Sequence, residues 1–223
     1  MPIDLNRVRA ICFDIDGTLS DSDDLWAARL EKTLFHLRGL VRQDLHALSR
    51  RVVMGIESPG NWLYSVLDQL QLDAAALKAL GLLSRPKNSA HSQALMIPGV
   101  PETLQYFASR YPLAVVSARG EGTTMSFLNQ FGLAPFFKII VTAQTCRYTK
   151  PFPDPILYAA HQMQVKPQEC LMVGDTVVDI RAGQRAGAQT VGLLCGFGTE
   201  SELQRAGAGL ILPGPLDLLK LWT

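Results

Sequence analysis

The most restrictive feature of this sequence is a series of short, largely apolar runs of three to five residues. Runs of this length, without alternation of polar and apolar residues, are typical of strands buried on both faces. Helical patterns separate the later runs, and strand–helix–strand alternation predicts a parallel sheet with helices on both faces, an α/β fold. The five runs are 9–13, 113–116, 139–141, 170–173 and 191–194.

Two of the helical patterns have recognisable ends. Asp154 is a suitable N-cap for a helix over about 155–164, since Pro155 would then take the first helical position. A second helix is predicted over about 177–186, and Gly187 is a suitable residue to end it. Each of these helices would connect two consecutive strands of the sheet.

The interval 22–96 interrupts the alternation, because it contains no convincing strand. Apolar residues recur there at helical spacing in two stripes, and Asp73 is placed to cap a third helix that Gly81 would end. We therefore predict an inserted all-helical domain over 22–96, with the core built from 1–21 and 97–223. The stripes are Trp26, Leu30, Leu34, Leu37, Val41 and Leu63, Val66, Leu67, Leu70.

Acidic residues follow two of the predicted strands. Asp14 and Asp16 come directly after the first run, and Asp175 and Asp179 follow the run 170–173. Ligands of open α/β sheets bind at the carboxyl ends of the strands, so Asp175 is placed to join the first pair. Mg²⁺ would offset the repulsion between such carboxylates, although aspartates that only cap a turn are the alternative. Asp179 also suits the first turn of a helix.

Two further segments place polar side chains after predicted strands. Ser117 follows the run 113–116, where a hydroxyl and the next backbone N–H groups can bind an anion. Lys150 precedes three prolines within five residues, which stiffen the segment that carries its charge. Each signal alone is weak, because serine after a strand and lysine in a loop are both common.

The composition excludes several functional classes. Lys and Arg total 21 against 20 Asp and Glu in 223 residues, which is unlike the basic surface of a nucleic-acid-binding protein. No stretch approaches the roughly 20 apolar residues that span a bilayer, and the first ten residues do not resemble a signal peptide. The four cysteines are widely spaced, without a C-x-x-C pair. We therefore expect a cytoplasmic protein with reduced cysteines, without a nucleic-acid or membrane partner.

Taken together and in this order, the polar segments resemble the four motifs of the haloacid dehalogenase superfamily of phosphotransferases. The segment DIDGT over 14–18 is similar to its first motif, Ser117 to its second, Lys150 to its third, and GDTVVD over 174–179 to its fourth. The insertion at 22–96 resembles the helical cap of phosphoglycolate phosphatase-like members. The resemblance covers nearly the whole chain and implies a Rossmann-like core.

The resemblance also implies roles for these residues. Asp14 would be the nucleophile that forms an aspartyl phosphate, and Asp16 would be the acid and base that exchanges a proton with the leaving group and then with water. The cofactor would be Mg²⁺, held by Asp14, the backbone carbonyl of Asp16, and Asp175, with Asp179 behind them. The expected phosphate-binding residues are Thr18, Ser117, Ala118 and Lys150.

The implied function is hydrolysis of a small phosphorylated metabolite, and several alternatives remain open. A sugar phosphomutase resembling β-phosphoglucomutase would keep the same core, and a pyrophosphatase or nucleotidase is also compatible. A dehalogenase is disfavoured because it lacks an acid at the position of Asp16. A receiver-type phospho-acceptor domain is disfavoured because Thr142-Ala143-Gln144, after the third run, contains no aspartate. The sequence leaves the phosphate ester and the oligomeric state undetermined.

One segment of the insertion is a candidate for reading the leaving group. The helical pattern breaks over 50–61, which contains two glycines and a proline. We expect this loop to close over the substrate, with Gly55, Glu57 and Asn61 as its specificity residues. An ordinary connector between two helices is the alternative.

Overall fold

The computed structural model describes residues 3–21 and 95–222. These residues belong to one compact unit, formed by Met1–Asp23 together with Ala94–Thr223. Most of the predicted helical insertion, with Gly55, Glu57 and Asn61, lies outside the described residues. The helical cap and its specificity loop therefore stay predictions.

The described residues form eight strands, six of which make one parallel sheet in the order β5-β4-β1-β6-β7-β8. All five predicted runs are strands. The strand β8 was not predicted, because its short apolar segment lies near the end of the chain after a glycine-rich stretch. The strands are β1 (Ala10–Phe13), β2 (Ser20–Asp21), β3 (Leu95–Met96), β4 (Leu113–Val116), β5 (Ile139–Val141), β6 (Cys170–Gly174), β7 (Gln189–Leu193) and β8 (Leu210–Leu212).

Five α-helices accompany this sheet in the described residues. The predicted helix over 177–186 is confirmed as α4, and it ends at Gly187, whose φ of 79° is a left-handed conformation that glycine adopts without strain. The predicted cap of α3 is wrong: the helix begins at Asp154 itself, and no side chain caps it. The helices are α1 (Val100–Ala108), α2 (Glu121–Gln130), α3 (Asp154–Met163), α4 (Val177–Ala186) and α5 (Glu200–Ala206).

The sheet is buried on both faces, because alternate residues of its central strands enter two separate cores. In β1, Ile11 and Phe13 pack into one core with residues of α1 and α2, whereas Ala10 and Cys12 pack into the other with residues of α3 and α4. This arrangement confirms an α/β sheet with helices on both faces. The strand β5 is less buried than predicted because it lies at the sheet edge, where Ile139 and Ile140 stay half-buried.

A second sheet has two strands, one just before the predicted insertion in the chain and one at its end. Ser20 pairs with Met96 and Asp21 with Leu95 in antiparallel register. Leu95 and Met96 therefore form a strand that pairs with a strand of the core, although they were predicted to lie in the insertion. The two strands carry the chain out of the core and back into it.

Within the described ranges, none of the helices has the length and apolar character needed to cross a membrane. The four cysteines are free thiols, and Cys12 and Cys170 are buried in the core.

Candidate active site

The strand order brings three of the predicted motifs to one edge of the sheet. Because β1 lies between β4 and β6, the residues that follow these strands, Asp14, Ser117 and Asp175, meet at their carboxyl ends. The backbone N–H of Asp14 still donates to the carbonyl of Val173 at 3.0 Å, so the start of this loop continues the sheet. The sheet itself therefore sets the position of the first carboxylate.

Lys150 joins two of the carboxylates at this edge. Its ammonium nitrogen Nζ lies 2.6 Å from Asp14 Oδ1 and 2.6 Å from Asp179 Oδ1. The lysine residue is only 4% exposed, and both aspartates are also buried. Arg185 of α4 donates to the carbonyl of Pro151 at 3.0 Å and so fixes the chain beside the lysine. A buried cation thus holds the ends of two separate motifs together.

Asp175 occupies a tightly fitted position with no solvent exposure. Its Oδ2 accepts the backbone N–H of Phe197 at 2.8 Å, and its Oδ1 accepts the Thr18 hydroxyl at 3.3 Å. A Cβ added at Gly17 or Gly196 would lie only 2.2 or 2.1 Å from Asp175 Oδ2. Both glycines are therefore needed for the backbone to approach this carboxylate.

Asp179 combines the two roles that its sequence position suggested. Its Oδ2 accepts the backbone N–H and the hydroxyl of Thr176, at 3.0 and 2.6 Å, which caps the beginning of α4. Its Oδ1 remains directed to Lys150. The helix cap thereby places a carboxylate inside the site.

Counted over residues 3–21 and 95–222 alone, the buried charges of the site do not balance. Asp14, Asp175 and Asp179 each offer an oxygen, and these oxygens lie within 4.8 Å of one another beside the single ammonium of Lys150. Burial raises the pKa of Asp14 to about 7, helped by Asp179 and Asp16 and opposed by Lys150. Burial lowers the pKa of Lys150, but Asp14 and Asp179 outweigh it and raise that pKa above its ordinary value. A hard cation with oxygen ligands fits this excess of buried negative charge.

Asp16 points to a different partner from Asp14. Arg119 donates from Nε to Asp16 Oδ2 at 2.7 Å, and its Nη2 pairs with Asp16 Oδ1. Among the residues that the structure describes, the three carboxylates that could share a cation include Asp179 and not the side chain of Asp16. Arg119 was not predicted as a site residue, because neither its spacing nor its type marks it as a partner of a residue 103 positions earlier.

The predicted phosphate-binding residues differ in accessibility. Ser117 is buried, and its hydroxyl oxygen accepts the backbone N–H of Arg119 at 3.1 Å, whereas Ala118 is exposed. Thr18 is fully buried and its hydroxyl is directed to Asp175, so its side chain supports that carboxylate in this structure. The segment CGFG over 195–198 resembles the same group of proteins in sequence, but the contact of Phe197 with Asp175 was not predicted.

The chain is similar to known proteins over most of its length. The family model described as haloacid dehalogenase-like hydrolase matches residues 11–193. A phosphoglycolate phosphatase of Aquifex aeolicus is 33% identical over 216 residues, with 96% of each chain covered. Pyrophosphatase PpaX of Anoxybacillus flavithermus is 30% identical over 220 residues, covering 96% of this chain and 97% of that protein.

A solved structure is similar over the same extent. It is a HAD family hydrolase from Deinococcus radiodurans with bound phosphate and sodium, with a TM-score of 0.72 and 25% identity, and the match covers 97% of this chain and 95% of that one. Sequence and fold comparisons therefore point to the same group of proteins.

Proposed function

We propose that Asp14 is the nucleophile toward a small phosphate ester and that Mg²⁺ is the cofactor. The chain belongs to the haloacid dehalogenase-like hydrolase family and is a phosphomonoester hydrolase. The observation that carries this proposal is the buried group of Asp14, Asp175 and Asp179 around Lys150. A carboxylate aimed from a strand end, with a fixed cation beside it, suits in-line attack on phosphorus.

The cation would be held by the carboxylates of Asp14 and Asp175, together with the backbone carbonyl of Asp16. Mg²⁺ prefers one or two carboxylates and completes its shell with phosphate oxygens and water, so this donor set suits it. When bound, the ion neutralises the charge that gathers on the transferring phosphoryl group. Asp175 is suited to this task because Thr18 and Phe197 fix both of its oxygens in place.

The chain's own residues then divide the reaction into two steps. In the first step, an oxygen of Asp14 forms a bond to phosphorus while the bond between phosphorus and the ester oxygen breaks. Asp16 gives its proton to the departing ester oxygen. In the second, water attacks the aspartyl phosphate, Asp16 takes a proton from that water, and Asp14 is released with inorganic phosphate. Lys150 keeps Asp14 in place and supplies fixed positive charge to the phosphoryl oxygens. The Ser117 hydroxyl and the backbone N–H of Ala118 also bind these oxygens.

The substrate is a small phosphorylated metabolite. Phosphoglycolate is the first candidate, since the similar protein of Aquifex aeolicus carries that name, and pyrophosphate is the second because of the PpaX relative. The residues that read the rest of the substrate would belong to the predicted insertion, with Glu57 and Asn61 first among them. Four free thiols and a balanced charge favour a cytoplasmic enzyme that acts on free metabolites.

The test is phosphate release from a panel of phosphoglycolate, pyrophosphate, a hexose phosphate, a nucleoside monophosphate and 4-nitrophenyl phosphate, with Mg²⁺ or with chelator. We expect turnover with Mg²⁺ only, and its loss in Asp14→Asn, which keeps the shape of the side chain but removes its charge. The matched control is Asp217→Asn, an aspartate paired with the exposed Lys220. Full turnover by a folded Asp14→Asn variant would refute the nucleophile assignment.

A further inference from the structure

The two aspartates of the first motif have different cationic partners. Asp14 contacts the buried ammonium of Lys150, whereas both side-chain oxygens of Asp16 are engaged by the guanidinium of Arg119. The pair of Asp16 and Arg119 lies closer to solvent, since 32% of the Asp16 side chain and 20% of the Arg119 side chain are exposed. A two-point contact of this kind sets the plane of a carboxylate as well as its position, which one ammonium does not do.

Arg119 is itself held at several points. Its backbone N–H donates to the Ser117 hydroxyl oxygen at 3.1 Å, and its Nη2 lies 3.4 Å from the hydroxyl oxygen of Ser20. The guanidinium carbon lies 5.5 Å from the centre of the Phe127 ring, within range of a cation–π contact. The Arg119 side chain is therefore held in place, and it reaches from the loop after β4 to the loop after β1.

From this geometry we infer that Arg119 is a positioning residue, which orients the Asp16 carboxyl group for proton exchange with the leaving group and then with water. The inference rests on the proposed function, because the orientation of Asp16 affects the rate only if Asp16 is the acid and base. Arg119 acts through Asp16 and needs no contact with the substrate for this role.

The arrangement is compatible with both protonation states of Asp16. An ionised carboxylate accepts both hydrogen bonds of the guanidinium. A protonated carboxyl group keeps one acceptor oxygen, so one bond to Arg119 can hold it while the other oxygen carries the proton to the leaving group. Losing this orientation should slow proton transfer more than phosphoryl transfer, because misplacing a reacting group by about 1 Å can cost on the order of 10²-fold.

The test compares leaving groups in single-turnover measurements of the first step. An alkyl phosphate needs its departing oxygen protonated, whereas 4-nitrophenolate leaves readily without a proton. We expect Arg119→Gln to lower the rate for the alkyl ester by roughly 10- to 100-fold, and to change the rate for the aryl ester by less than about 3-fold. Arg119→Lys, which can make only one of the two bonds, should fall between the wild type and Arg119→Gln.

Two further measurements separate positioning from a general loss of structure. In an Asp16→Asn background, adding Arg119→Gln should cause no further loss of rate with the alkyl ester. The side chain that Arg119 orients can then no longer give a proton to the leaving group. Added guanidinium should restore part of the alkyl rate in Arg119→Ala. The control is Arg110→Gln, whose arginine bonds to the carbonyl of Tyr106 in α1 and should leave both rates unchanged.

Equal losses with the two esters would overturn the inference and assign Arg119 to the phosphoryl group or to folding. Unchanged rates in Arg119→Gln, or additive losses in the double variant, would overturn it too. These outcomes are distinct from failure of the proposed function, which would appear as wild-type protein without Mg²⁺-dependent release of phosphate from the aryl ester.

Discussion

The buried group around Lys150 and the partly exposed pair of Asp16 and Arg119 are two ion-pair regions of one site that differ in environment. Lys150 lies among carboxylates that water scarcely reaches, whereas the Arg119 pair keeps partial contact with solvent. A charge in the first region depends on its protein partners, because solvent cannot replace them. In the second region solvent replaces part of any lost interaction. The two regions therefore serve one reaction but should differ in what they contribute to stability, which is large for the buried group and small for the more exposed pair.

The largest effect should follow from Lys150→Met, because this change leaves buried carboxylates without their cation. We expect the free energy of unfolding to fall by about 3–5 kcal/mol in metal-free buffer, and kcat to fall on the order of 10²–10³-fold. Denaturant unfolding and phosphate release measure the two effects.

Arg119→Met is the matched change in the more exposed region. Its unfolding free energy should change by no more than about 1 kcal/mol, since solvent screens that pair. Similar destabilisation by the two variants would contradict the distinction between the regions.

A smaller effect should follow from Gly196→Ala, which tests how closely the buried region is packed. The new Cβ would lie 2.1 Å from Asp175 Oδ2, so the carboxylate has to move. We expect the Mg²⁺ concentration for half-maximal activity to rise by roughly 10- to 100-fold, as for other disturbed metal surroundings. Magnesium titrations of phosphate release measure this shift.

The control for that variant is Gly122→Ala in α2, where an added Cβ meets no atom within 4 Å. It should leave the magnesium dependence unchanged and stabilise the helix by about 0.5–1 kcal/mol. An unchanged magnesium requirement in Gly196→Ala would show that Asp175 has more room than its contacts indicate.

The last effect concerns the pH dependence of stability in metal-free buffer. The pKa of Asp14 is raised from 3.8 to about 7, so between these values the folded protein binds a proton that the unfolded chain has released. This contribution to stability is therefore lost as pH rises through that window. Asp14→Asn lacks it, and its melting temperature should gain on that of the wild type from about pH 4 to about pH 7.

Adding Mg²⁺ at pH 7 should raise the melting temperature of the wild type but not that of the variant, because the metal compensates the ionised carboxylate of Asp14. Parallel pH profiles for the two proteins in metal-free buffer would indicate that Asp14 is already ionised and well compensated by Lys150.

Much of this site could be predicted from the chain alone, for a physical reason. Parallel strands buried on both faces have to be short apolar runs, and such runs are visible without a structure. Because the carboxyl ends of these strands meet at one edge, Asp14, Ser117 and Asp175 could be expected together before any distance was known. The helix α4 could be bounded correctly because the residues that begin and end it lie next to it in the chain.

Other features depended on the tertiary structure, because they join residues whose proximity no local pattern encodes. The pairing of Asp16 with Arg119, the seating of Asp175 against Gly196 and Phe197, and the burial of Lys150 between two aspartates all arise from packing across the sheet edge. The sequence thus determined which chemical groups are present and at which ends of the strands they lie. Only the folded chain decided which charge contacts which, because burial and long-range contact select those partners.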